Sequence, residues 1–418
     1  MAQRPKLLSL NTYHYRRGGT DSVYFDHDTL FNSLGWETGS FAMRHPDNEP
    51  SEWDEFFVDE LEFGVDYPWW KQLIMAGKVI YSFEARKKLE RLLDTWRPDV
   101  AHVHNIYHHI SPSVLGVLKQ QGVPTVLTAH DLKLACPAYK MLNSGGVCEK
   151  CKNGNLIHVA LNRCIHESLS LSSLIMLEST VHRMLRLYRR NLDRIVVPSG
   201  FYKKKLVEWG WPADKIVHIA NFVHIENYSA NYEPGDYFLY FGRLDRSKGV
   251  DTLIKAVCRS NVKLRIAGTG PFEAELKCLG EKCNGSVEFL GYCSGDTLWR
   301  LVRGARAVVL PSEWYENAPI SVLEAYATGK IVIGANIGGI PELLLEGQTG
   351  CLFESGNVQC LADMLGEVIG WPDSKIEVMG KQAREFVSKT FVSQIYLSKM
   401  LRLYESLGVA VPEAQNIS

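Results

Sequence analysis

Two cations and two carboxylates in the second half of the chain are spaced as a phosphorylated, hydroxyl-bearing ligand would require. Arg243 and Lys248 stand five residues apart in the turn after a predicted strand. A guanidinium binds oxyanions bidentately and an ammonium acts as a point charge, so the pair suits a diphosphate, while two exposed surface cations are the alternative. Glu316 and Glu324 flank the start of a later predicted helix. Their carboxylates can accept hydrogen bonds from the hydroxyls of a sugar and a ribose, although glutamates at this spacing are most often surface charges.

Two backbone features near these residues suit the same ligand. Asn317 is a predicted N-cap and Pro319 suits the first turn of the helix that follows, so a helix N-terminus with free amides is expected to face a phosphate. Gly268 and Gly270 follow another predicted strand and would let a ligand approach the backbone closely. Glu273 replaces the third glycine of the dinucleotide fingerprint, which disfavours an NAD-dependent dehydrogenase.

The elements that must position these residues follow a repeated pattern. Short apolar runs alternate with longer segments whose apolar residues recur every three or four positions, which is typical of parallel strands joined by helices. The pattern runs twice and is interrupted by a polar, aperiodic segment at 224–235. The sequence therefore predicts an α/β protein with doubly wound domains at 1–230 and 231–390. The remainder, 391–418, is predicted to hold a helix from about Val392 to Leu407 and a frayed tail.

The composition excludes several classes of protein. The 418 residues include 46 basic and 47 acidic ones, for a formal net charge of -1, and 46% are hydrophobic. These values fit a soluble globular protein rather than a disordered chain or a general nucleic-acid binder, so no nucleic-acid partner is expected. No apolar run reaches the roughly 18 residues that span a bilayer, and the N-terminal residues lead into a strand-like run rather than a signal-peptide core. The expected location is the cytoplasm.

Five motifs between residues 242 and 342 share a distinctive order and spacing. They are Gly242-Arg243-x4-Lys248-Gly249, Gly268-Thr269-Gly270-Pro271, Val287-Glu288-Phe289-Leu290-Gly291, Pro311-Ser312 with Glu316-x7-Glu324-Ala325, and Gly338-Gly339-Ile340-Pro341-Glu342. In this order and spacing they resemble the retaining glycosyltransferases of family 4. The resemblance extends less specifically to Arg17-Gly18-Gly19 and Thr128-Ala129-His130-Asp131. It implies the GT-B fold, in which two Rossmann-like domains face each other across a cleft and a C-terminal helix crosses back onto the first domain.

The resemblance also implies roles for individual residues. Arg243 and Lys248 would hold the donor diphosphate and stabilise its charge as the glycosidic bond breaks, so cations would replace a divalent metal and no cofactor would be required. Glu316 would bind sugar hydroxyls and Glu324 the ribose, while His130 would contact the sugar near the reacting centre. The implied catalytic set is His130, Arg243, Lys248 and Glu316, and the implied donor-binding set is Gly18, Gly19, Gly268, Gly270, Tyr292, Asn317, Ala318, Pro319, Ile320 and Glu324. Pro319 departs from the family pattern, in which many members carry glycine.

The activity implied by the resemblance is retaining transfer of a hexose from a nucleotide sugar, with UDP- or GDP-sugars as the expected donors. The expected acceptor is a glycan or a lipid-linked molecule in the synthesis of surface polysaccharide or glycoconjugate. A nucleotide-sugar 2-epimerase has the same two-domain architecture and is one alternative. A catalytically silent nucleotide-sugar-binding protein is another, although the joint presence of Arg243, Lys248, Glu316 and Glu324 weighs against it.

Four of the ten cysteines cluster in a predicted insertion at about 133–166. Cys148 and Cys151 have the two-residue gap that lets both thiolates reach one tetrahedral ion. A structural zinc that holds the insertion beside the cleft is one interpretation, and unligated thiols or a redox pair are the others. The other six cysteines are scattered and are expected to be ordinary thiols. The candidate ligands are Cys136, Cys148, Cys151 and Cys164, with His158 as the alternative to Cys136.

Two further patterns resemble metal sites. Asp26-His27-Asp28 matches an Asp-x-Asp metal motif, but it falls within a predicted helix, so we expect solvated helix surface there. A group of histidines surrounds the end of a predicted strand without a carboxylate or cysteine nearby, so we expect these side chains to line the cleft or the core. The group consists of His102, His104, His108 and His109.

A basic stretch, 183–205, is predicted to begin with an amphipathic helix. The plain interpretation is a solvated helix face. The alternative is a surface that meets anionic lipid or a pyrophosphate-bearing acceptor, which would give the protein a peripheral position at the inner face of the plasma membrane.

Overall fold

The computed structural model describes residues 4–60 and 68–411, so the end of the predicted tail, 412–418, lies outside the described residues. The described strands are β1 (Lys6–Leu10), β2 (Glu37–Phe41), β3 (Val100–Val103), β4 (Thr125–Thr128), β5 (Leu142–Asn143), β6 (Gly146–Val147), β7 (Arg194–Val197), β8 (Ile216–His218), β9 (Tyr237–Phe241), β10 (Lys263–Ala267), β11 (Val287–Gly291), β12 (Ala307–Leu310), β13 (Ile331–Ala335) and β14 (Gly350–Phe353).

The described α-helices are α1 (Gly19–Ser33), α2 (Trp69–Ile80), α3 (Phe83–Thr95), α4 (Ser113–Gln120), α5 (Ile157–Leu161), α6 (Leu169–Met184), α7 (Leu187–Asn191), α8 (Gly200–Glu208), α9 (Val250–Ser260), α10 (Glu273–Gly280), α11 (Gly295–Gly304), α12 (Ile320–Ala327), α13 (Val358–Gly370), α14 (Asp373–Thr390) and α15 (Ser393–Glu405). None of these described helices is long and apolar enough to cross a membrane.

The first half of the chain forms a parallel sheet in the order β2-β1-β3-β4-β7-β8. Every residue of β3 and β4 is buried, because helices pack on both faces of the sheet. Apolar residues of α3 and α4 form the core on one face, and those of α1 and α15 form it on the other. A short antiparallel hairpin, β5 with β6, lies in the inserted segment between β4 and β7.

The second half forms a parallel sheet in the order β11-β10-β9-β12-β13-β14, with a core of its own. Helices α9 and α13 pack against each other, and α14 packs against α12 and β13. The two parallel sheets confirm the predicted α/β class and the doubly wound architecture. The predicted boundary near residue 230 falls between β8 and β9.

Each sheet reverses its strand order at one point, between β1 and β3 in the first and between β9 and β12 in the second. Open α/β sheets bind ligands beyond the carboxyl ends of their strands at such a reversal. Gly18 and Gly19 follow β1, Arg243 and Lys248 follow β9, and Glu316 follows β12. The topology therefore brings the main candidate residues to the two reversal points.

Helix α15 returns to the first domain. Its Tyr396 and Tyr404 are buried in the cluster that includes Leu7 of β1 and Phe31 of α1. The Tyr404 hydroxyl lies 3.0 Å from His27 Nε2, which joins the C-terminal helix to α1. Helices and strands almost four hundred residues apart thus share one core.

This packing overturns the expectation of solvated surface at Asp26-His27-Asp28. His27 is fully buried and Asp28 is 9% exposed, while Asp26 is partly exposed. Burial raises the pKa of Asp28 to about 7, against the hydrogen bond that Ser9 donates to its carboxylate. The prediction was wrong for two of the three residues because α15 packs over His27 and Asp28 faces Ser9 of β1, neither of which the local sequence shows.

The basic stretch also differs from its prediction. Helix α6 ends at Met184, and Arg186 adopts a left-handed conformation, with φ 51°, before α7 begins at Leu187. The single amphipathic helix predicted here is therefore interrupted and forms parts of two helices. Met184 and Leu185, at the junction, are 78% and 53% exposed.

Candidate functional site

Lys248 and Glu316 form an ion pair at the carboxyl edge of the second sheet. Lys248 Nζ lies 2.7 Å from Glu316 Oε1, and Ser312 Oγ donates a 2.7 Å hydrogen bond to the same oxygen. Burial alone would raise the pKa of Glu316, but the Lys248 ammonium and these hydrogen bonds outweigh it and hold this pKa below its usual value. Glu316 is therefore a fixed, charged acceptor.

The turn that carries Arg243 and Lys248 is held by residues other than these two cations. The Asp245 carboxylate accepts hydrogen bonds from Ser247 N, at 3.0 Å, and from Ser247 Oγ, at 2.7 Å. Gly249 has φ 64°, and a Cβ there would lie 2.0 Å from Pro311 O, so only glycine fits. The Arg243 side chain is exposed, which leaves its guanidinium open to an anion.

The N-termini of α1 and α12 approach each other from opposite domains. A Cβ built on Gly19 would lie 3.2 Å from Ile320 Cδ1. A Cβ built on Gly18 would have no neighbouring atom within 4 Å. The first amides of a helix have no partner within it, and the helix dipole is positive at this end. The Lys248–Glu316 ion pair ties the turn that carries both cations to the loop just before α12. Two helix N-termini and a cationic turn thus lie near one another, and this arrangement suits a diphosphate.

Asn317 does not cap α12, so that prediction was wrong. The helix begins at Ile320, and Asn317 Nδ2 instead donates to Ala129 O, at 3.0 Å, and to His130 O, at 3.1 Å. Ser199 Oγ donates to Asn317 Oδ1 at 2.7 Å. All of these partners belong to the first domain, so Asn317 ties the two domains together beside His130. Its predicted contact with the donor sugar stays a prediction.

His130 is partly exposed and pairs with the buried imidazole of His104. Its Nε2 lies 2.8 Å from His104 Nδ1, and the two rings are stacked. Burial lowers the pKa of His130 to about 3, so its ring is neutral at physiological pH. A neutral imidazole fixed through one nitrogen can hydrogen-bond to a sugar hydroxyl without adding charge. His102, His104 and His109 are buried as expected.

Glu324 lies in α12, one turn beyond its start, and is partly exposed. Tyr228, in the segment between the domains, donates a 3.3 Å hydrogen bond to Glu324 Oε1. Burial raises the pKa of Glu324 to about 7, and the Tyr228 hydrogen bond only partly opposes this. A ribose hydroxyl that donated to the carboxylate would stabilise its charged form.

Gly268 and Gly270 have a structural reason to be glycine. A Cβ on Gly268 would lie 1.9 Å from Gly242 O, and one on Gly270 would lie 2.2 Å from Leu244 O. The loops after β9 and β10 therefore pack backbone against backbone, and this packing fixes the position of Arg243 between them. Tyr292 follows β11 and is 76% exposed. The roles of these three residues toward a donor stay predictions.

Other contacts hold the two domains against each other. The Glu342 carboxylate accepts hydrogen bonds from Gly200 N, at 2.7 Å, and from Phe201 N, at the start of α8. Lys140 Nζ lies 3.8 Å from Asp245 Oδ2. Glu342 belongs to one of the sequence motifs, but its partner across the cleft could not be read from the sequence. Ser199 and Tyr228 were missed altogether, because a lone hydroxyl residue carries no spacing signal, and Ser312 was noted only as part of a motif, with no role of its own.

The four clustered cysteines are free thiols that line one small cavity, together with His158. Burial is the main reason that the pKa of Cys151 is raised to about 12, and the neighbouring thiols Cys136, Cys148 and Cys164 raise this pKa further.

Among the other six cysteines, Cys258 and Cys283 are joined by a disulfide, so the expectation of ordinary thiols was wrong for these two. Helix α9 and the turn after α10 pack together and bring them into contact.

Comparisons with known proteins agree with this geometry. A family model described as Glycosyltransferase Family 4 matches residues 18–227, just over half of the chain, and one described as Glycosyl transferases group 1 matches residues 225–386. An uncharacterised glycosyltransferase of Methanocaldococcus jannaschii is 29% identical over 221 residues, which are 52% of this chain and 61% of that protein. An uncharacterised 42.6 kDa protein in the cps region of Klebsiella pneumoniae is 31% identical over 270 residues, 63% of this chain and 64% of the other.

The matches to these two relatives cover less than two thirds of their length. Among solved structures, Anabaena HepE in complex with UDP and glucose has a TM-score of 0.67 and 18% identity, and the match covers 97% of this chain and 100% of that one. At this identity the likeness shows the GT-B fold. The two family models together match most of both domains and include all five motifs between residues 242 and 342. The chain belongs to glycosyltransferase family 4.

Proposed function

We propose that this protein is a retaining glycosyltransferase that moves a hexose from a UDP- or GDP-sugar to a glycan or lipid-linked acceptor. The observation that carries the proposal is the meeting of two helix N-termini, at Gly19 and Ile320, beside a turn with two cations. A nucleoside diphosphate needs this concentration of positive charge, and its sugar needs fixed acceptors such as Glu316. The UDP bound to Anabaena HepE supports a uridine donor.

In the proposed reaction the bond from the anomeric carbon to the diphosphate oxygen breaks, and the bond to the acceptor oxygen forms on the same face of the sugar. The acceptor proton passes to the departing phosphate oxygen. Arg243, Lys248 and the two helix N-termini balance the charge of the leaving diphosphate, a task that a divalent metal performs in other enzymes. His130, neutral and held through its contact with His104, orients the sugar through a hydrogen bond.

A cavity of about 400 Å³ in the first domain supports an anionic or lipid-linked acceptor. It lies beside the exposed Met184 and Leu185 at the junction of α6 and α7. Cations and indole rings together suit a phosphorylated headgroup next to a membrane surface. The Lys, Arg and Trp side chains that line the cavity are Lys133, Lys152, Arg183, Arg186, Arg189, Trp209 and Trp211.

The test of the proposed activity is a donor screen with the purified full chain. Thermal unfolding is followed with UDP-, GDP-, ADP- and dTDP-sugars, since a ligand at about a hundred times its dissociation constant stabilises the native state by about 2.7 kcal/mol. The stabilising donor is then incubated with candidate acceptors, and the anomeric configuration of the product is read by NMR. Consumption of the donor without any acceptor, with formation of an epimeric sugar, would favour the 2-epimerase. A donor that binds but is never consumed would favour a silent binding protein.

A further inference from the structure

The thiols of Cys136, Cys148, Cys151 and Cys164 come from three separate parts of the inserted segment and line the same cavity. Cys136 follows β4 in a tight loop, Cys148 and Cys151 flank the turn after the hairpin, and Cys164 follows α5. Thiols this far apart in sequence share a cavity only because the segment folds around it. The segment has little regular structure of its own, and its Val159 is buried in a small apolar cluster with Val79 of α2 and Ile175 of α6. A metal crosslink would supplement this packing.

The loop that carries Cys136 is tied to the turn that carries Cys148. In this loop Tyr139 and Met141 adopt the left-handed conformation, with φ 53° and 48°. Met141 O accepts a 2.7 Å hydrogen bond from Cys148 N. The backbone contact holds side by side two loops whose cysteines line the same cavity.

We infer that these four cysteines form a structural zinc site that fixes the inserted segment against the nucleotide-sugar domain. Four thiolates are a complete tetrahedral ligand set for Zn²⁺, so His158 is not required. Each thiol releases its proton on binding, and Arg183 near Cys151 offsets part of the resulting negative charge. Among the described residues no group of three or more His, Cys, Asp or Glu side chains stands close enough to hold a metal ion as it is, so binding must draw the four sulfurs together.

The position of Glu149 gives this site a consequence for the cleft. Glu149 stands between Cys148 and Cys151, and its Oε1 accepts a 3.1 Å hydrogen bond from the Tyr315 hydroxyl of the second domain. Lys205 Nζ lies 2.7 Å from the same oxygen. Tyr315 immediately precedes Glu316 in the chain. A zinc ion that fixes the turn around Glu149 thereby supports the loop that carries Glu316, and Glu149 acts as a positioning residue.

Metal analysis of the full chain, purified without an affinity tag that binds metals, tests the site. We expect about one zinc per chain, released on addition of a thiol-reactive reagent, and cobalt-loaded protein with the visible absorption of a tetrahedral thiolate site. Cys148→Ser and Cys164→Ser should lose the zinc. The matched control is Cys278→Ser, which changes an exposed cysteine outside the cluster and should keep it. The wild-type stoichiometry decides the question even if the cluster variants fail to fold.

Two results would overturn the inference. One is wild-type protein that holds no zinc after reconstitution with zinc under reducing conditions. The other is a stable disulfide between Cys148 and Cys151 that mass spectrometry detects in protein kept in a reducing buffer. A third measurement tests the link to the cleft, because Glu149→Gln should keep the zinc while raising KM for the donor. If zinc is present and this variant behaves as wild type, the site is confirmed and its support of the Glu316 loop is refuted.

Discussion

The Gly19 Cα faces Ile320 so closely across the cleft that an added Cβ would lie 3.2 Å from the isoleucine Cδ1. Helices α1 and α12 therefore present their N-termini to one small volume, although one belongs to each domain. This geometry explains why glycine stands at the start of α1, where a side chain would intrude between the two helix ends. It also places the proposed diphosphate between two positive dipoles.

The first prediction concerns this contact. Gly19→Val should raise KM for the nucleotide sugar roughly tenfold or more, since about 1.4 kcal/mol of lost binding is a tenfold change. The melting temperature should change little, because the added methyl groups point into the cleft and not into a core. Gly366→Ala is the matched control, since a Cβ there meets nothing within 4 Å. Donor kinetics equal to wild type in Gly19→Val would refute the placement of the diphosphate.

The second prediction concerns the ion pair of Lys248 and Glu316. Lys248→Ala and Glu316→Ala should each reduce kcat for transfer by about 10²–10³-fold, the usual cost of removing one electrostatic group from an active site. Circular dichroism should show an intact fold. Lys255→Ala is the control, because Lys255 is a cation on α9 that pairs with Asp251 away from the cleft. A kcat for transfer close to wild type in both Lys248→Ala and Glu316→Ala would contradict the proposed mechanism.

The third prediction follows from the raised pKa of Asp28. Its pKa is about 7 in the folded protein and 3.8 is the ordinary value, so the folded state binds the proton more tightly. The stability that this group contributes is complete below pH 3.8 and is lost as the pH rises through about 7. The side chain of Asp28→Asn cannot ionise, so the variant should not lose stability in this way as the pH rises. Melting temperatures from pH 4 to 8 should therefore fall more steeply in wild type than in the variant, and parallel curves would contradict the prediction.

The fourth prediction concerns the return of α15 to the first domain. Tyr404→Phe removes the hydroxyl that lies 3.0 Å from His27 Nε2 and 2.5 Å from His102 Nδ1, and leaves buried imidazole nitrogens unpaired. We expect a loss of about 1–3 kcal/mol in the free energy of unfolding, measured by urea titration. Tyr292→Phe changes an exposed tyrosine and should leave this free energy as it is in wild type.

Much of the fold could be predicted from local patterns. The strand predicted just before Arg243 was found as β9, because a strand buried on both faces reads as a short continuous apolar run between polar turns. The start of α12 was placed too early, since Asn317 has the local chemistry of an N-cap but a stronger set of partners in the other domain. Local preference failed there because the competing hydrogen bonds come from residues far away in sequence.

The sequence by itself determined the α/β class, the family and the identity of the charged residues at the strand ends, because alternation and motif spacing are local properties of the chain. Only the tertiary structure decided which polar residues are buried and what they contact. His27 is core because α15 folds over it, and Cys136 shares a cavity with Cys164 because the inserted segment closes on itself. Burial and contact depend on which distant elements pack together, and no local pattern records that packing.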